Sequence, residues 1–150
     1  MISEGMKAPD FSLADAAGRT WTLEDFSGSG FVLYFYPRDD TPGCTVEACE
    51  FRDSIGEFAK RGIRVVGVSP DSPASHAKFL KRHSLPFILL SDPERKTLAE
   101  YGAFGEKMMY GKKVMGVIRS TFVIDGRGVV VKVFPKVTPA GHAAQILSVL

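Results

Sequence analysis

The chain has 150 residues and a mass of 16.4 kDa, which is the size of one domain. Hydrophobic residues make up 45% of it and charged residues 24%, a balance that excludes intrinsic disorder, collagen-like repeats and coiled coils. Nineteen basic and seventeen acidic residues leave a formal net charge of +2, too small to predict a nucleic-acid-binding or polybasic membrane surface. We therefore expect a single domain over residues 1–150 with no nucleic-acid partner.

No segment of the sequence predicts a membrane span or a signal peptide. The longest uncharged, mostly apolar run, 30–37, is far shorter than the roughly 20 residues that cross a bilayer. Three charged residues within the first ten positions interrupt the region where a signal peptide carries its apolar run. The two cysteines, Cys44 and Cys49, are too few for the disulfide framework of a small secreted protein. We expect a cytoplasmic protein with no membrane partner, whose cysteines take part in chemistry.

Apolar runs and turn residues predict the strands in chain order. Residues 11–23, which turn around Ala17 and Gly18, predict an N-terminal β-hairpin. Three short apolar runs are then typical of strands buried on both faces, at 31–36, 63–68 and 87–90. Two further strands flank a glycine-containing hairpin turn at 125–128, namely 120–124 and 129–134.

Helices are predicted between these strands. Residues 44–61 contain no proline and repeat apolar residues at helical spacing, which predicts an amphipathic crossover helix. Residues 73–84 follow a serine and open with proline, as helices often do. Their Ala74, Ala77 and Leu80 form the stripe that we expect to be buried.

Two more helices complete the predicted order. A short one should begin at Asp92-Pro93 and run towards Tyr101, and the last one should cover 139–150. The resulting order is ββ-β-α-β-α-β-α-β-β-α. It predicts an α/β protein with a mixed central sheet flanked by helices and an N-terminal β-hairpin.

The most informative segment lies where the first apolar strand gives way to the first helix. Thr41 followed by Pro42 has the pattern of a helix N-cap followed by proline at the first helical position, which puts Cys44 in the first turn. The N–H groups of Gly43 and Cys44 are then free to face an anion at the positive end of the helix dipole. Because open α/β sheets bind ligands at the carboxyl ends of their strands, Cys44 is the candidate nucleophile.

A reactive cysteine also needs a source of positive charge. The thiolate is the reactive form, and an unperturbed thiol with a pKa of about 8.5 is only slightly ionised at neutral pH. Lowering such a pKa by about 2.5 units takes ~3.4 kcal/mol, whereas a helix terminus contributes at most ~2 kcal/mol. Arg119 is the candidate cation, because it precedes the strand at 120–124. If that strand lies beside 31–36, Arg119 and Cys44 meet at the same edge of the sheet.

These residues resemble a known family. The pattern Pro37-x-x-x-Thr41-x-x-Cys44 is similar to the active-site signature of the peroxiredoxins. Three runs resemble the bacterioferritin comigratory protein, or peroxiredoxin Q, subgroup in particular, at 36–53, 85–92 and 116–125. The resemblance covers nearly all of the chain. One departure lies in the family loop at 104–112, where Phe104 occupies a position that is often tryptophan.

The resemblance implies a thioredoxin-like fold and a thiol-dependent peroxidase that acts on hydrogen peroxide and alkyl hydroperoxides. It implies that Cys44 is the peroxidatic nucleophile, which Thr41 and Arg119 activate. It also implies that Pro37 shields the thiolate and that Cys49 is the resolving cysteine. The implied reductant is thioredoxin or a glutaredoxin-like protein, the implied state is a monomer, and no cofactor or metal is implied.

The spacing of the two cysteines has a structural consequence. Five positions along an α-helix separate two Cα atoms by roughly 8 to 9 Å, whereas a disulfide needs them within ~7 Å. If Cys44 and Cys49 share one helix, that helix must unwind locally before they can join. We expect oxidation to be coupled to a conformational change.

Three other functions are compatible with parts of the sequence. A thioredoxin-type disulfide oxidoreductase would use the same fold, but such enzymes carry Cys-x-x-Cys and this chain carries Cys-x-x-x-x-Cys. A zinc site would need both cysteines and a histidine. We expect all three histidines on solvated surfaces instead, namely His76, His83 and His142. A peroxide sensor that passes its oxidation to a partner protein would use the same thiolate and the same disulfide.

Overall fold

The computed structural model describes residues 2–150, which form nine strands, four α-helices and a 3₁₀ turn at Leu23–Phe26. The strands are β1 (Ser12–Asp15), β2 (Thr20–Thr22), β3 (Gly30–Phe35), β4 (Ile63–Ser69), β5 (Ile88–Ser91), β6 (Phe104–Met109), β7 (Lys112–Val117), β8 (Ser120–Ile124) and β9 (Val130–Phe134). The helices are α1 (Pro42–Lys60), α2 (Pro73–His83), α3 (Lys96–Glu100) and α4 (His142–Leu147).

Seven strands form one mixed sheet in the order β2-β1-β5-β4-β3-β8-β9. β3, β4 and β5 are parallel neighbours, because helical crossovers return the chain to the same end of the sheet each time. β8 runs antiparallel to β3, and β9 antiparallel to β8. The N-terminal hairpin joins the opposite edge through the antiparallel pairing of β1 with β5. The predicted mixed sheet and N-terminal hairpin are therefore confirmed.

The strand β3 is buried on both faces, and its alternate side chains enter two separate cores. Phe31, Leu33 and Phe35 pack with the N-terminal segment, the 3₁₀ turn and α3. Val32 and Tyr34 pack on the other face against residues of α1, α2 and α4. This two-sided burial explains why β3 reads as a continuous apolar run.

The helix α2 begins as predicted, but its buried face differs from the prediction. The Ser72 side chain accepts a hydrogen bond from the Ser75 N–H at 3.1 Å, and Pro73 is the first helical residue. The fully buried residues of this helix are His76 and Phe79, Leu80 of the predicted stripe is partly buried against the same core, and the alanines at 74 and 77 are exposed. An alanine stripe offers little apolar area, so the aromatic ring and the hydrogen-bonded imidazole decide which face turns inward.

The solvated positions predicted for two of the histidines are wrong. His76 is 0% exposed, and His142 is buried with its Nε2 at 2.8 Å from the Thr121 Oγ1. Only His83 is partly exposed. Histidine is intermediate in burial preference, and sequence spacing on a helix does not show which polar partners the rest of the fold brings to it.

The helix α3 starts four residues later than predicted. Residues 92–95 form a turn in which the Arg95 N–H donates to the Asp92 carbonyl at 3.0 Å, and Arg95 adopts a left-handed φ of 61°. The helix is then confined to Lys96–Glu100. In α4 likewise, the regular part is shorter than the predicted 139–150 and covers His142–Leu147.

The sequence analysis missed one supersecondary element. β6 and β7 form a separate two-stranded antiparallel sheet, hereafter the β6–β7 hairpin, with Phe104 opposite Val117 and Met109 opposite Lys112. Its strands mix lysines, glycines and methionines with no apolar run and no regular alternation, so neither strand signal is present.

Within residues 2–150, no helix combines the length and the apolar character needed to span a bilayer.

Candidate active site

Cys44 lies in the first turn of α1, directly after the carboxyl end of β3, and only 1% of it is exposed. The first backbone hydrogen bond of the helix runs from the Thr45 N–H to the Thr41 carbonyl at 2.9 Å. This leaves the N–H groups of Gly43 and Cys44 outside the helical ladder, at the positive end of the dipole. The sequence placed Cys44 in this turn, and the structure agrees.

Thr41 occupies the N-cap position of α1, but its side chain does not cap the helix. Its backbone is extended, with φ −84° and ψ 154°, and no side-chain cap hydrogen bond is formed. The hydroxyl instead donates to the Arg38 carbonyl at 2.9 Å. Thr41 therefore closes the turn that leads into the helix, and it gives its proton to that turn rather than to the helix or the sulfur.

Arg119 reaches the sulfur from a distant part of the chain. It immediately precedes β8, whose first residue, Ser120, pairs with Phe35 at the end of β3. The Arg119 Nη2 lies 3.2 Å from the Cys44 Sγ. Burial works against the positive charge, but the charges of Glu47 and Cys44 outweigh it and raise the pKa of Arg119. The pairing of the two strands brings cation and thiol together, as the sequence predicted.

Glu47 is the site residue that the sequence analysis missed. It lies one helical turn after Cys44, is 1% exposed, and accepts a 2.6 Å hydrogen bond at Oε1 from the Arg119 Nη1. Its Oε2 is buried and has no hydrogen-bond partner within residues 2–150. Burial raises its pKa to about 7, although Arg119 works in the opposite direction. The i to i+3 spacing from Cys44 was the available signal, because it places both side chains on one helix face.

Close packing fixes the guanidinium against the start of α1. A Cβ added at Gly43 would lie 3.3 Å from the Arg119 Nη2 and 3.3 Å from the Pro139 Cγ. Glycine thus gives Arg119 room beside the helix backbone. Pro139 belongs to a C-terminal segment that is tied to the site by a 2.9 Å hydrogen bond from the Val137 N–H to the Arg119 carbonyl.

Cys49 lies one and a half turns beyond Cys44 on the same unbroken helix, and it is half-buried. Both cysteines are free thiols here. Three residues further on, the Arg52 Nη1 donates to the His83 carbonyl at the end of α2, at 2.8 Å. The two sulfurs therefore sit on a helical segment whose far end is attached to a neighbouring helix.

The loop before Thr41 is held by buried hydrogen bonds. Asp39 accepts them from the Tyr36 hydroxyl at 2.6 Å and the Ser75 hydroxyl at 2.8 Å, and its Oδ2 lies 2.8 Å from the His76 Nδ1. Burial opposes ionisation, but these contacts, that of His76 foremost, lower the pKa of Asp39. Asp40, at a left-handed φ of 59°, lies 3.0 Å from the His83 Nε2.

Pro37 begins this loop and borders an open cavity of about 880 Å³. Arg38, Asp71 and residues of the β6–β7 hairpin line the same cavity. Pro37 and the hairpin therefore border one common cavity.

Within residues 2–150, three potential metal ligands come together only at Asp39, Asp71 and His76. His76 uses both ring nitrogens, Nδ1 towards Asp39 and Nε2 towards the Leu90 carbonyl at 2.9 Å. Asp71 Oδ2 accepts hydrogen bonds from the Asp39 N–H and the Ser69 hydroxyl. This network is complete without an ion and includes neither cysteine, so it does not fit a metal.

The chain is similar to proteins of one known family over nearly its whole length. The sequence profile of the AhpC/TSA family matches residues 5–133. The chain belongs to the AhpC/TSA family. Peroxiredoxin Bcp of Bacillus subtilis is 47% identical to this peroxiredoxin over 149 residues, which cover 99% of this chain and 95% of that protein. The chloroplastic peroxiredoxin Q of Oryza sativa subsp. japonica is 41% identical over 152 residues, covering 99% of this chain and 67% of that protein.

Solved structures give the same result. The bacterioferritin comigratory protein of Xanthomonas campestris superposes with a TM-score of 0.87 at 40% identity, covering 93% of this chain and 88% of that one. A variant of PrxQ from Xylella fastidiosa superposes with a TM-score of 0.92 at 32% identity, covering 99% and 94%. The resemblance to the peroxiredoxin Q subgroup and the thioredoxin-like fold are confirmed. As a member of this family, the protein is a thiol-dependent peroxidase.

Proposed function

We propose that this peroxiredoxin reduces hydrogen peroxide and alkyl hydroperoxides through nucleophilic attack by the Cys44 thiolate. The observation that carries the proposal is the 3.2 Å contact between the Arg119 Nη2 and the Cys44 Sγ at a buried helix start. An arginine cation and free N–H groups stabilise a negative sulfur there. The alkyl peroxide reduction activity of the similar Xanthomonas campestris protein supports the wider substrate class.

In the first step, the thiolate attacks the terminal peroxide oxygen and a new S–O bond forms as the O–O bond breaks. The departing oxygen carries the electron pair away and takes up a proton, which gives water or an alcohol and leaves Cys44 as a sulfenic acid. Charge moves from sulfur to the departing oxygen in the transition state. Arg119 and the N–H groups of Gly43 and Cys44 are the donors available to follow it.

In the second step, the Cys49 thiol attacks the sulfenic acid, a disulfide forms and water leaves. Cys49 is the second of only two cysteines in the chain, which supports this assignment. Both residues lie on α1, so its first turns must unwind to bring their Cα atoms within ~7 Å. Pro37, at the loop that enters α1, shields the sulfur until then. Thr41 supports the activation of Cys44 by closing the turn from which α1 starts.

In the third step, a dithiol protein, thioredoxin or a glutaredoxin-like protein, exchanges with the disulfide and restores both thiols. Two cysteines are too few for the disulfide framework of a small secreted protein, so we place the protein in the cytoplasm. We also propose that it acts as a monomer, with all five site residues, Pro37, Thr41, Cys44, Cys49 and Arg119, supplied by one chain.

The proposal is tested with two cysteine variants and a stopped-flow measurement of peroxide consumption. Cys44→Ser should abolish peroxide reduction, because the nucleophile is lost. Cys49→Ser should consume one equivalent of peroxide at the wild-type rate and then lose thioredoxin-supported turnover, because no thiol resolves the sulfenic acid. Sustained thioredoxin-dependent turnover by Cys49→Ser would contradict the assignment of Cys49. Turnover no faster than with free thiols, together with a trapped mixed disulfide with one client protein, would instead favour a peroxide sensor.

A further inference from the structure

We propose that the β6–β7 hairpin is the docking surface for the dithiol protein that reduces this peroxiredoxin. This inference rests on the proposed function, because it assigns a place to the reductant of the third step. Three independent features of the hairpin carry it, namely exposed apolar side chains, positive charge and position beside the site.

The hairpin concentrates exposed apolar side chains. Of the nine large hydrophobic residues that are exposed within residues 2–150, four lie between 108 and 115. Met108 is 64% exposed, Tyr110 98% and Met115 65%. Scattered apolar side chains are normal on a surface, but a cluster of this kind marks a binding site. Unbranched methionines adapt to irregular partner surfaces, and tyrosine is among the residues enriched at interfaces.

The hairpin carries a cross-strand side-chain hydrogen bond, and its tip presents an aromatic ring. Tyr110 and Gly111 turn the chain with φ values of 52° and 77°, and such a conformation is uncommon for tyrosine. The Lys107 Nζ crosses the hairpin to donate to the Val117 carbonyl at 2.8 Å. Its stem passes over Gly116, where an added Cβ would lie 2.8 Å from the Lys107 Cε. A preformed surface loses little conformational entropy on binding, so the ring of Tyr110 is a suitable anchor.

The charge of the hairpin selects an acidic partner. Its strands carry Lys107, Lys112 and Lys113 against the single acidic residue Glu106. Arg38 and other basic residues line the cavity between the hairpin and the active-site loop. We therefore expect a partner whose apolar face is rimmed by carboxylates, and its association should weaken as salt screens these charges.

The position of the hairpin fits a protein rather than a small thiol. β7 ends at Val117, two residues before Arg119, which contacts the reacting sulfur. At roughly 3.3 Å per residue, the tip at Lys112 lies up to ~23 Å from Arg119. A small domain of roughly 100 residues is about 30 Å across, so it can cover the tip while its own cysteine attacks the disulfide.

The test compares two arms of the catalytic cycle in hairpin variants. The variants are Tyr110→Asn, which tolerates the left-handed backbone, and the double variant Lys112→Glu/Lys113→Glu. The control is Lys78→Glu/Lys81→Glu, which makes the same charge change on the exposed face of α2. We measure kcat/KM for thioredoxin, recycled by its reductase and NADPH, and separately the single-turnover reaction with hydrogen peroxide followed by reduction with dithiothreitol.

Both hairpin variants should lose at least tenfold in kcat/KM for thioredoxin, whereas the control variant should change less than twofold. In the charge variant, kcat/KM for thioredoxin should also lose most of its dependence on salt concentration. Single-turnover oxidation and dithiothreitol reduction should not change. Unaltered thioredoxin kinetics in both variants would overturn the inference. If thioredoxin kinetics are the same in the variants and the wild type, two further results would assign the hairpin to another partner and overturn the inference. One is hairpin-dependent sedimentation with anionic phospholipid vesicles, and the other is hairpin-dependent dimerisation. Failure of the wild-type protein to consume peroxide, by contrast, would overturn the proposed function itself.

Discussion

Arg119 has one positive charge and two acidic neighbours. Its Nη2 faces the Cys44 sulfur at 3.2 Å and its Nη1 faces the Glu47 carboxyl at 2.6 Å. The guanidinium is planar with donors at fixed angles, so one side chain can bind both partners at once, and each partner holds it in place for the other. Glu47 is therefore a positioning residue for Arg119.

A lysine in place of Arg119 should keep the charge but lose this geometry. An ammonium group is a compact donor that cannot span the sulfur and the carboxyl as a fork does. We expect Arg119→Lys to slow the reaction of Cys44 with hydrogen peroxide by roughly 10²-fold, the size of effect seen when a preorganised transition-state donor is lost. Stopped-flow measurement of the second-order rate constant checks this. A rate within twofold of wild type would show that charge alone suffices.

The raised pKa of Glu47 predicts a pH-dependent stability. Its pKa is about 7 in the folded protein against an ordinary value of 4.5, so the folded chain binds more protons than the unfolded chain between these values. The free energy of unfolding should then fall as pH rises from 4.5 to 7, by up to roughly 3 kcal/mol. Glu47→Gln removes this group. From pH 5 to pH 8, the variant should therefore gain stability relative to the parent.

Urea unfolding at several pH values measures this difference. Both proteins should carry Cys44→Ser, so that the nearby thiol does not titrate. Arg119 favours ionised Glu47 and so already lowers the pKa of Glu47, which means that the slope expected from a pKa of about 7 includes the loss of this ion pair in the glutamine variant. A stability difference that does not change with pH would contradict the raised pKa of Glu47.

At the scale of elements, α2 holds the loop that precedes the reactive helix. The His76 Nε2 faces a carbonyl, which only accepts, so it carries a proton, and Nδ1 faces the Asp39 carboxylate. Two turns later, His83 makes the equivalent contact with Asp40, but both partners are partly exposed.

Because the His76–Asp39 contact is buried and the His83–Asp40 contact is partly exposed, breaking the first should cost more stability than breaking the second. His76→Gln breaks a pair whose side chains are 0% and 4% exposed and leaves the Asp39 charge without its partner, so we expect a loss of about 3 to 5 kcal/mol. His83→Gln, at a contact between side chains 21% and 35% exposed, should cost less than about 1 kcal/mol. Chemical denaturation of both variants measures this. Equal losses would show that the loop does not depend on the buried pair.

The helix α1 is intact while both cysteines are reduced, and disulfide formation requires it to open. Its far side is attached to α2 through the 2.8 Å bond from Arg52 to the His83 carbonyl, so the opening should be confined to the first turns. We expect the amides of residues 44–49 to lose hydrogen-exchange protection on oxidation, while those beyond Arg52 keep it. Equal protection of 44–49 in the two redox states would contradict this coupling.

At the scale of the whole molecule, strand order creates the site. The reactive turn follows β3, and Arg119, 75 positions after Cys44, precedes β8. Because β3 and β8 are antiparallel neighbours, the end of one meets the start of the other. Sequence reasoning found this pair because both strands are apolar and well delimited. It missed the β6–β7 hairpin, whose mixed polar strands carry no apolar run and contact the core only at its base, through Phe104 and Val117.

The sequence by itself predicted the seven strands of the main sheet, the order of the helices, the candidate nucleophile and its candidate cation. Local sequence patterns predict each of these features. The patterns are apolar runs, a Thr-Pro helix start and an arginine next to a strand, and they involve only residues that are neighbours along the chain. Only the tertiary structure decided the roles of Glu47, His76 and Pro139 and the hydrogen bond of Thr41. A polar side chain is buried or exposed according to the partners that distant segments bring to it, and no local pattern records those partners.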